Sequence, residues 1–311
     1  MDSVNLFRAT VDNEGTYGVG DGTPTPIPLT NDSTPEIVAD EDSIPDYGDS
    51  LAEPKSFYSR KRFRVPVKFY LKGAAGAGTV PEWVKLMKAW GLSSTATPAT
   101  NVVLSPVNTG HPSVTLLTNL NNVDWIAKGL RGTSMTIPFI AGKRVIVEGV
   151  GESRYTRPTV QAYSAPTFAD AAISAPLVQS MGVQINGVSY VIPEVRLVME
   201  NVTETIENVN AAFDGIESID IQVRKWYFDI PVVRQAQNDV EWFALWEDST
   251  EFALTSTGFG PSGGGRIQVD CQKLQIASIR NAPYKNNHAY TVRCKILKGT
   301  TVANEFSLTM D

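Results

Sequence analysis

The chain has 311 residues, of which 42% are hydrophobic, enough to bury one large core or two of ordinary size. It carries 33 acidic and 27 basic side chains, a net charge of -6, which argues against a protein that grips nucleic acid by neutralising its phosphates. The longest apolar stretches are about half of the ~20 residues that span a bilayer, and Met1 is followed by Asp2 instead of a basic and then apolar leader, so we expect neither export nor membrane insertion.

The first strong strand pattern lies where the charge changes sign. Eight acidic residues and no Lys or Arg occur from Asp32 to Glu53, and seven basic residues and no Asp or Glu occur from Lys55 to Lys72. Within the basic segment, "FRVPVKFYL" alternates apolar and polar side chains from Phe63 to Leu71. This alternation predicts a strand with one buried face.

The run "GAAGAG", residues 73–78, stands directly before a predicted helix at 79–91. Thr79 and Glu82 have capping-box spacing, apolar residues recur at helical spacing, and Gly91 ends the pattern. The run lacks the Lys-Ser/Thr of a phosphate loop and has no βαβ pattern around it, so it does not indicate nucleotide binding. We expect a flexible loop that packs against a neighbouring subunit.

A second helix is predicted at "NDVEWFALWED", where Asn238 and Glu241 repeat the capping spacing. Upstream, Asn186-Gly187 between alternating flanks predicts a two-residue hairpin. Nearly all of the remaining chain has strand patterns, so we expect a mainly β fold. The tryptophans expected to pack the two helices into the core are Trp83, Trp90, Trp242 and Trp246.

Landmarks of the first half recur in the same order in the second half. The matches are "PEI" with "PEV", "VPV" with "IPV", the two Glu-Trp helices, "WIAKGLRG" with "QIASIRN" and "VIVEG" with "CKILKG". Glu200 to Asp220 holds six acids and no base before Arg224 and Lys225, so the acid-then-base order also recurs. We predict a duplication into two tandem β-sandwich or barrel domains, each with one flanking helix. The predicted boundaries are a first domain at 1–165, a linker at 166–179 and a second domain at 180–311.

Residues that commonly carry catalysis are scarce. The histidines are His111 and His288, and both stand beside turn residues, so we expect them in surface loops. Cys271 and Cys294 fall in alternating strand patterns and are expected to be core residues without a disulfide. Paired acids such as those at 40–42 are better explained as a solvated loop than as a glycosidase pair. We expect no enzymatic activity, no cofactor and no metal site.

The basic stretch from Lys55 to Lys72 interleaves aromatic and cationic side chains, as a groove for single-stranded nucleic acid does. The alternative is that its apolar side chains face a core and its cations dock on an acidic surface of another subunit, which also explains the acidic run beside it. We favour the subunit interface. The charges expected there are Asp40, Glu41, Asp42, Arg60, Lys61, Arg62, Glu204, Glu207, Arg224 and Lys225.

Together these stretches resemble the tail tube proteins, or major tail proteins, of long-tailed bacteriophages. The resemblance rests on an early "GTYGVG", a glycine and alanine run before Pro-x-Trp, a leucine-rich helix that ends before Gly91, the turn "SPVNTGHPS" and the stretch "GLRG", in this order. It covers residues 14–158 well and the second half in outline. Trp90 departs from the small residue or Cys that many members carry.

The resemblance implies β-sandwich or barrel domains assembled into stacked rings around a channel for viral DNA. Members with one such domain form six-membered rings, so a duplicated chain implies a homotrimer that makes a pseudo-hexameric ring. The acidic loops predicted at 38–57 and 198–218, together with an N-terminal arm at 1–30, would reach between rings. The implied partners are other copies of the chain, the tape-measure, tail terminator and distal tail proteins and, transiently, double-stranded DNA during ejection. The implied location is the virion tail, with assembly in the host cytoplasm.

Two other classes of function stay open. One is a different phage structural protein, such as a baseplate or capsid-decorating β-protein. The repeat and the paired Glu-Trp helices favour this class less than a tail tube protein. The other is a carbohydrate-binding or hydrolytic β-protein, which six tryptophans would suit, although four of these are assigned to helix packing.

Overall fold

The protein is mainly β, and the computed structural model shows nineteen strands and two short α-helices among the residues that it describes. This confirms the fold class that the alternating sequence patterns predict. The described residues are 7–22, 24–30, 32–43, 56–169, 173–211, 215–233, 239–283, 285, 287–299 and 305–311.

The elements follow one another in this order. The strands up to the predicted linker are β1 (Phe7–Thr16), β2 (Val19–Gly20), β3 (Thr25–Pro26), β4 (Glu36–Ser43), β5 (Ser56–Tyr70), β6 (Leu92–Thr97), β7 (Asn101–Pro106), β8 (Val114–Leu120), β9 (Val123–Ile140), β10 (Ile146–Arg154) and β11 (Thr159–Val160). The later strands are β12 (Gln184–Ile185), β13 (Val188–Ser189), β14 (Glu194–Glu207), β15 (Ile216–Val233), β16 (Phe252–Thr255), β17 (Ile267–Asn281), β18 (Ala289–Ile296) and β19 (Ser307–Met310). The helices are α1 (Val84–Met87), continued by a 3₁₀ turn at Lys88–Trp90, and α2 (Asp239–Glu247).

Eight strands form one antiparallel sheet, here called the central sheet, in the order β4–β5–β10–β9–β14–β15–β18–β17. This order contains the same neighbour arrangement twice. The first group is β4–β5–β10–β9 and the second group is β14–β15–β18–β17. Since β9 pairs directly with β14, the sheet continues from one group into the other without a break.

Shorter strands extend both groups. In the first group β8 pairs with the start of β9, and in the second β16 pairs with β17, each with a register shift between its first two paired positions. β1 lies beside β8 as β12 lies beside β16. β6, β7 and β19 form a further small sheet that adds to the start of β17. Strands from the two predicted domains therefore pair at β7–β19 as well as at β9–β14.

β5 shows why an alternating sequence forms a strand of this sheet. Phe63, Val65, Val67 and Phe69 are at most 1% exposed, and the residues between them face solvent or neighbouring polar groups. Apolar side chains from the other central strands except β4 join them in one continuous hydrophobic core. Burial of these side chains is the main stabilising contribution to the fold.

Proline in a strand usually lies at a sheet edge or bulge, but two strand prolines of this chain lie inside the central sheet. Pro66 of β5 pairs with β10, and Pro231 of β15 pairs with β18. The N–H of Lys68 points to Ser33, beyond the start of β4, and the nitrogen of Pro66 two residues earlier points to the same side. Pro66 fits because its missing donor faces a place where the neighbouring strand has not yet begun.

Two local predictions are confirmed. Asn186 and Gly187 form the two-residue turn between β12 and β13, with φ angles of 51° and 77°. Cys271 and Cys294 are buried thiols without a disulfide between them. Both results follow from local sequence, the first from turn chemistry and the second from strand alternation.

The first helix is shorter than predicted and has no capping box. α1 begins after Trp83, whose side chain makes no capping hydrogen bond, because Pro81 keeps the preceding turn out of the helix. The Glu82 carboxylate accepts a hydrogen bond from the Ala169 N–H at 2.6 Å instead of reaching back to Thr79. The predicted end is confirmed, since Gly91 has a left-handed φ of 81°.

Trp246 is a correction to the predicted core set. Trp83, Trp90 and Trp242 are at most 2% exposed, whereas Trp246 is 45% exposed. α2 lies against the sheet on the side of Trp242, and Phe243 at 38% exposed faces outward with Trp246. Asn238, the predicted cap, lies outside the described residues. None of the helices in the described part of the chain is long and apolar enough to cross a bilayer.

The glycine and alanine run packs within the same chain. The Ala74 N–H donates to the carbonyl of Gly264 at 2.6 Å. A Cβ added to Gly73 would lie 2.4 Å from the Cα of Gly265, and one added to Gly264 would lie 2.5 Å from the carbonyl carbon of Gly76. Two glycine-rich loops therefore touch backbone to backbone, which only glycine permits. The expectation that this run packs on a neighbouring subunit is thus replaced by an intrachain contact.

Candidate assembly surface

Two strand edges of the central sheet lack a strand partner within the described residues. β4 pairs with β5 on one side only. In β17, Leu274 pairs on both sides, with Phe252 and with Ile296, but the residues from Gln275 to Asn281 pair only with β18. Such an edge exposes a row of N–H and C=O groups that can accept another strand. They are called the β4 edge and the β17 edge below.

The contact between β9 and β14, called the internal junction, shows how two such edges fit together. Residues Glu194–Glu200 of β14 pair with β9 from Ile140 back to Ser134 in an unbroken antiparallel register. β14 has the place in the second group that β4 has in the first, and β9 has the place of β17. The internal junction therefore joins the counterpart of the β17 edge to the counterpart of the β4 edge.

A buried tryptophan supports the internal junction from the core side. Trp90 is fully buried, and its indole Nε1 donates to the carbonyl of Ser134 at 2.8 Å. Gly132 leaves space for the ring, because a Cβ there would lie 2.3 Å from indole atoms. Asn201 of β14 donates to the Gly132 carbonyl at 2.9 Å and accepts from Trp226 Nε1 at 2.9 Å. One satisfied polar network thus ties β9 to β14 and β15.

Tyr17, in the turn between β1 and β2, links the first group to β15. Its hydroxyl oxygen accepts a hydrogen bond from the Ile219 N–H at 3.0 Å. The guanidinium of Arg154 lies 4.9 Å from the Tyr17 ring centroid and that of Arg131 lies 5.7 Å from it. Arg131 donates to the Ile219 carbonyl at 3.2 Å, and Arg154 donates to the Glu217 carbonyl at 3.3 Å. Burial raises the pKa of Tyr17 to about 12, so the phenol is neutral at ordinary pH.

Sequence analysis missed Tyr17, Arg131, Arg154 and Asn201 as junction residues. The available signal was glycine, since "GTYGVG" and "GLRG" supply the small residues that the contact needs. A Cβ on Gly129, which has a φ of 69°, would lie 2.3 Å from the Tyr17 ring. A short glycine motif indicates that another part of the chain lies close to its backbone, but it does not identify the residue that makes the contact.

Arg60 brings together three of the charges predicted at a subunit interface. Its guanidinium lies 3.6 Å from Asp40 on β4 and 3.0 Å from Glu207 at the end of β14. The β4–β5 and β14–β15 hairpins therefore meet at their outer ends. All three side chains are about half exposed, which leaves them accessible to a partner.

Two more predicted interface cations are paired within the chain. Arg62 lies 3.5 Å from Glu152 of β10. Arg224 lies 3.1 Å from Glu305 and stacks on Trp226 at 5.0 Å from the ring centroid. Burial lowers the pKa of Arg224, and Glu305 opposes this shift. The interface prediction is untested for these residues, and their contacts show a role inside the chain as well.

The remaining predicted interface residues lie along the two hairpins. Glu41, Glu204 and Lys225 are exposed, and Lys61 is half-buried on β5. Asp42 lies opposite Phe57 in the β4–β5 ladder, so the acids at 40–42 lie on a strand and the solvated loop predicted for them is wrong. The hairpin tips at 44–55 and 212–214, and residues 1–6 of the predicted arm, lie outside the described residues.

One face of the central sheet, called the polar face, is turned to solvent. Residues directly opposite each other on paired strands share a face. One such row crosses seven strands at Lys68, Glu148, Thr136, Val198, Tyr227, Lys295 and Gln275. The alternate residues, such as Val67, Val147 and Phe228, are buried in the core.

Some cations on the polar face lie in ion pairs, whereas Arg64, Lys225, Arg280 and Lys295 on the same face have no ion pair within the described residues. Lys68 Nζ lies 3.1 Å from Glu148 on β10 and 3.1 Å from Asp32 before β4. Hydrogen bonds to Glu148 and then Asp32 raise the pKa of Lys68. A single lysine is thus shared by two carboxylates.

The second group has an equivalent arrangement. Arg293 of β18 donates two hydrogen bonds to Asp229 of β15, at 2.8 and 2.9 Å, and lies 4.0 Å from the Tyr227 ring centroid. The hydrogen bond to Asp229 raises the pKa of Arg293. Arg196 of β14 lies 2.7 Å from Glu194 on the same strand. Each group therefore holds some of its face cations next to carboxylates.

No protein-family model and no curated protein matches this chain. The function proposed below therefore rests on the chain's own contacts and on the resemblance of its motifs described above. The contacts that bear on it are the two unpaired edges, the internal junction and the polar face.

Proposed function

We propose that the chain is a structural protein that assembles with copies of itself into rings, and that stacked rings form a phage tail tube through which DNA is ejected. The observation that carries this proposal is the internal junction. Two groups of like strand order meet edge to edge inside one chain, and the same two kinds of edge remain unpaired at the ends of the sheet. A second copy can dock its β4 edge on the β17 edge in the same way.

The register of this contact follows from a row in the first group. Pro66 pairs with Val150, Val150 pairs with Ser134, and Ser134 pairs across the internal junction with Glu200. The row thus starts at the strand proline and ends on β14.

The second group has the same row without its last member. Pro231 pairs with Thr291, and Thr291 pairs with Arg280 at the β17 edge. The position beside Arg280 is the one that Glu200 takes beside Ser134. In a ring it would be filled by a β4 residue of the next copy.

That residue is Asp40. Glu36 of β4 and Arg196 of β14 are equivalent, because each lies opposite the residue two places before the strand proline. Four residues further along, Asp40 is therefore equivalent to Glu200. Arg280 and Asp40 carry opposite charges, so the register that the internal junction sets is also electrostatically favourable.

A contact between two different edges is head-to-tail, and such contacts close into rings when the rotation per copy allows it. Each chain supplies two four-stranded groups, so three copies supply six. This agrees with the six-membered rings that the resemblance implies. The hairpins that meet at Arg60 project from one end of the sheet, where they would contact the next ring. Tape-measure, terminator and distal tail proteins would then bind at the ends of the tube.

The carbohydrate-binding alternative has less support than the six tryptophans gave it. A sugar platform needs exposed aromatic rings, but Trp83, Trp90, Trp226 and Trp242 are at most 5% exposed, and Trp246 of α2 is the one strongly exposed tryptophan, at 45%. We therefore carry forward the assembly proposal alone.

The test combines electron microscopy with a designed cross-link. Purified protein should form rings or hollow tubes in negative stain. The double variant Asp40→Cys with Arg280→Cys should form disulfide-linked oligomers that end at a closed trimer on non-reducing gels, because cross-strand neighbours have a Cα separation that a disulfide accepts.

The matched control replaces Arg280→Cys with Asp248→Cys, at an exposed position just after α2. It should give no defined oligomer. Monodisperse monomers at all concentrations would refute the assembly proposal. Rings without the cross-link would refute only the register.

A further inference from the structure

We propose that a cavity on the core side of β15 is a binding site for a small organic monocarboxylate. The cavity has a volume of about 420 Å³ and lies between β15, the end of β18 and the turn after β7. Its size is within the range of small-molecule sites. This inference goes beyond the assembly proposal and does not depend on it, because the described residues that line the cavity belong to neither unpaired edge.

A bulge in β15 lies at the cavity. Gln222 is an extra residue in the ladder with β14, because its neighbours Ile221 and Val223 pair with consecutive residues of that strand. A bulge bends its strand and redirects the side chains beside it. Arg224 comes two residues before the buried Trp226 and shares its side of β15, which is opposite the polar face. The cavity is therefore separate from the polar face.

Arg224 supplies a guanidinium with an unused donor. Its Nη2 donates to Asn108 at 2.5 Å and to Glu305 at 3.1 Å. Its Nη1 is buried and has no hydrogen-bond partner within the described part of the chain. A buried donor without an acceptor costs free energy. An anion in the cavity would supply that acceptor.

The charges around the cavity have a positive sum. Lys298, just after β18, lines the cavity and has no ion pair with any described residue. Burial, and then the charges of Arg224 and Arg131, lower the pKa of His111, so this imidazole is neutral at ordinary pH. The ionised side chains of the described lining are therefore two cations, Arg224 and Lys298, and one carboxylate, Glu305. A ligand with a single negative charge balances them.

Apolar side chains form the rest of the lining. Ile221, Val223, Ile296 and Leu297 line the cavity together with Trp226. A ligand that fits this lining has an apolar body as well as a charged end. A monocarboxylate combines the two, whereas an inorganic phosphate dianion carries too much charge and has no apolar part.

The experiment titrates the full-length chain with trifluoromethylbenzoate at neutral pH and follows binding by fluorine NMR. The neutral trifluoromethylbenzamide has nearly the same shape and is the matched control ligand. We expect saturable binding of the acid with millimolar affinity. The amide should bind about tenfold more weakly, because it lacks the charge that Arg224 and Lys298 recognise.

Two variants should shift the affinity for the acid in opposite directions. Lys298→Gln should weaken binding about threefold, as the loss of one exposed charge pair does. Glu305→Gln keeps the side-chain shape and removes the carboxylate that repels the ligand, so binding should tighten about fivefold. Damage to the fold cannot produce tighter binding. Circular dichroism and thermal unfolding establish that both variants are folded.

Lys295→Gln is the matched control for Lys298→Gln. It removes the same charge from an exposed position on the polar face of β18, outside the cavity, and should leave the affinity unchanged. Equal effects of the two lysine variants would overturn the inference, because net charge alone would then explain the binding.

Three further results would also overturn it. These are no binding of the acid at its solubility limit, equal affinity for the acid and the amide, and weaker binding to Glu305→Gln than to wild type. Ring and tube formation is scored separately by electron microscopy, so failure of assembly counts against the proposed function alone.

Discussion

The first group and the second group of the central sheet share one strand order but differ in what covers their last strand. In the first group β9 is paired on both sides at Ser134, and Trp90 seals its core side. In the second group the equivalent part of β17, around Arg280, has β18 on one side only. One contact is therefore made inside the chain, and we propose that its equivalent at the β17 edge is made with a second copy.

The support of that internal contact also differs between the groups. Trp90 lies on the core side of β9 and donates a hydrogen bond to the β9 backbone. The two tryptophans of α2 differ from each other in burial. Trp242 is 1% exposed and Trp246 is 45% exposed. The largest effect on the molecule should therefore come from Trp90.

Replacing Trp90→Ala should lower the free energy of unfolding by about 3–5 kcal/mol, because it leaves a large cavity and an unpaired Ser134 carbonyl at the internal junction. Urea unfolding followed by tryptophan fluorescence and circular dichroism measures the loss. Trp246→Ala is the matched control and should cost less than about 1 kcal/mol. Equal losses at the two positions would contradict the view that the first group's helix supports the junction.

Tyr17 tests the polar side of the same junction. Tyr17→Phe removes the acceptor of the Ile219 N–H and should cost about 1–3 kcal/mol, because it leaves that buried donor without its partner. Tyr58→Phe is the control, since Tyr58 is 57% exposed, and it should be neutral in the same urea titration. A neutral Tyr17→Phe would show that the Arg131 and Arg154 contacts alone hold β15 in place.

The same residue gives a pH dependence. Burial raises the pKa of Tyr17 to about 12, above the ordinary tyrosine value of about 10, so the unfolded chain loses this proton first as the pH rises. Stability from this group is fully present below pH 10 and is lost as the pH rises through the folded-state pKa. The loss amounts to about 2–3 kcal/mol. The difference in stability between wild type and Tyr17→Phe should shrink from pH 9 to pH 12, and a constant difference would contradict the assigned pKa.

Gly73 tests the contact between the two glycine-rich loops. Gly73→Ala places a Cβ 2.4 Å from the Gly265 backbone and should destabilise the chain by about 1–3 kcal/mol, as overpacking does. Gly15→Ala is the control, because no atom lies within 4 Å of a Cβ at that position. Thermal unfolding of the two variants provides the comparison. If Gly73→Ala unfolds at the wild-type temperature, the loop contact is not part of the stable fold.

The sequence predicts β5 well, since its buried and exposed faces follow directly from alternation. The acidic loops predicted at 38–57 and 198–218 are wrong in part, because β4 runs to Ser43, β14 runs to Glu207 and β15 begins at Ile216. The sequence cannot predict that β9 pairs with β14, because periodicity describes one strand at a time and pairing partners lie far apart in the chain. The order of repeated landmarks is the one sequence feature that bears on the strand order, and the two groups do have the same order of neighbours.

The errors have identifiable causes. The capping box predicted at Thr79 and Glu82 does not form. Pro81 keeps the turn before it out of the helix, and the Glu82 carboxylate accepts a hydrogen bond from the Ala169 N–H. Trp246 was placed in the core by helical spacing, which cannot tell how much of a helix face the rest of the protein covers. For the candidate site, sequence identified charged hairpins but not their partners, because ion pairs such as Arg60 with Glu207 join residues over a hundred positions apart.

Loss of that ion pair should have the smallest effect on the free energy of unfolding. A variant of Arg60 therefore distinguishes an effect on assembly from an effect on stability. Arg60, Asp40 and Glu207 are each about half exposed, so Arg60→Ala should change the free energy of unfolding by less than about 1 kcal/mol. It removes the cation that holds the two hairpins together at the end where rings would stack, so the protein concentration needed for tube formation should rise severalfold, most at low salt. Arg157→Ala, which removes a charge from another exposed position, should leave that concentration unchanged. Light scattering against protein concentration at two salt levels separates the variants. If they assemble alike, the meeting of the hairpins at Arg60 is a feature of the single chain and not of the tube.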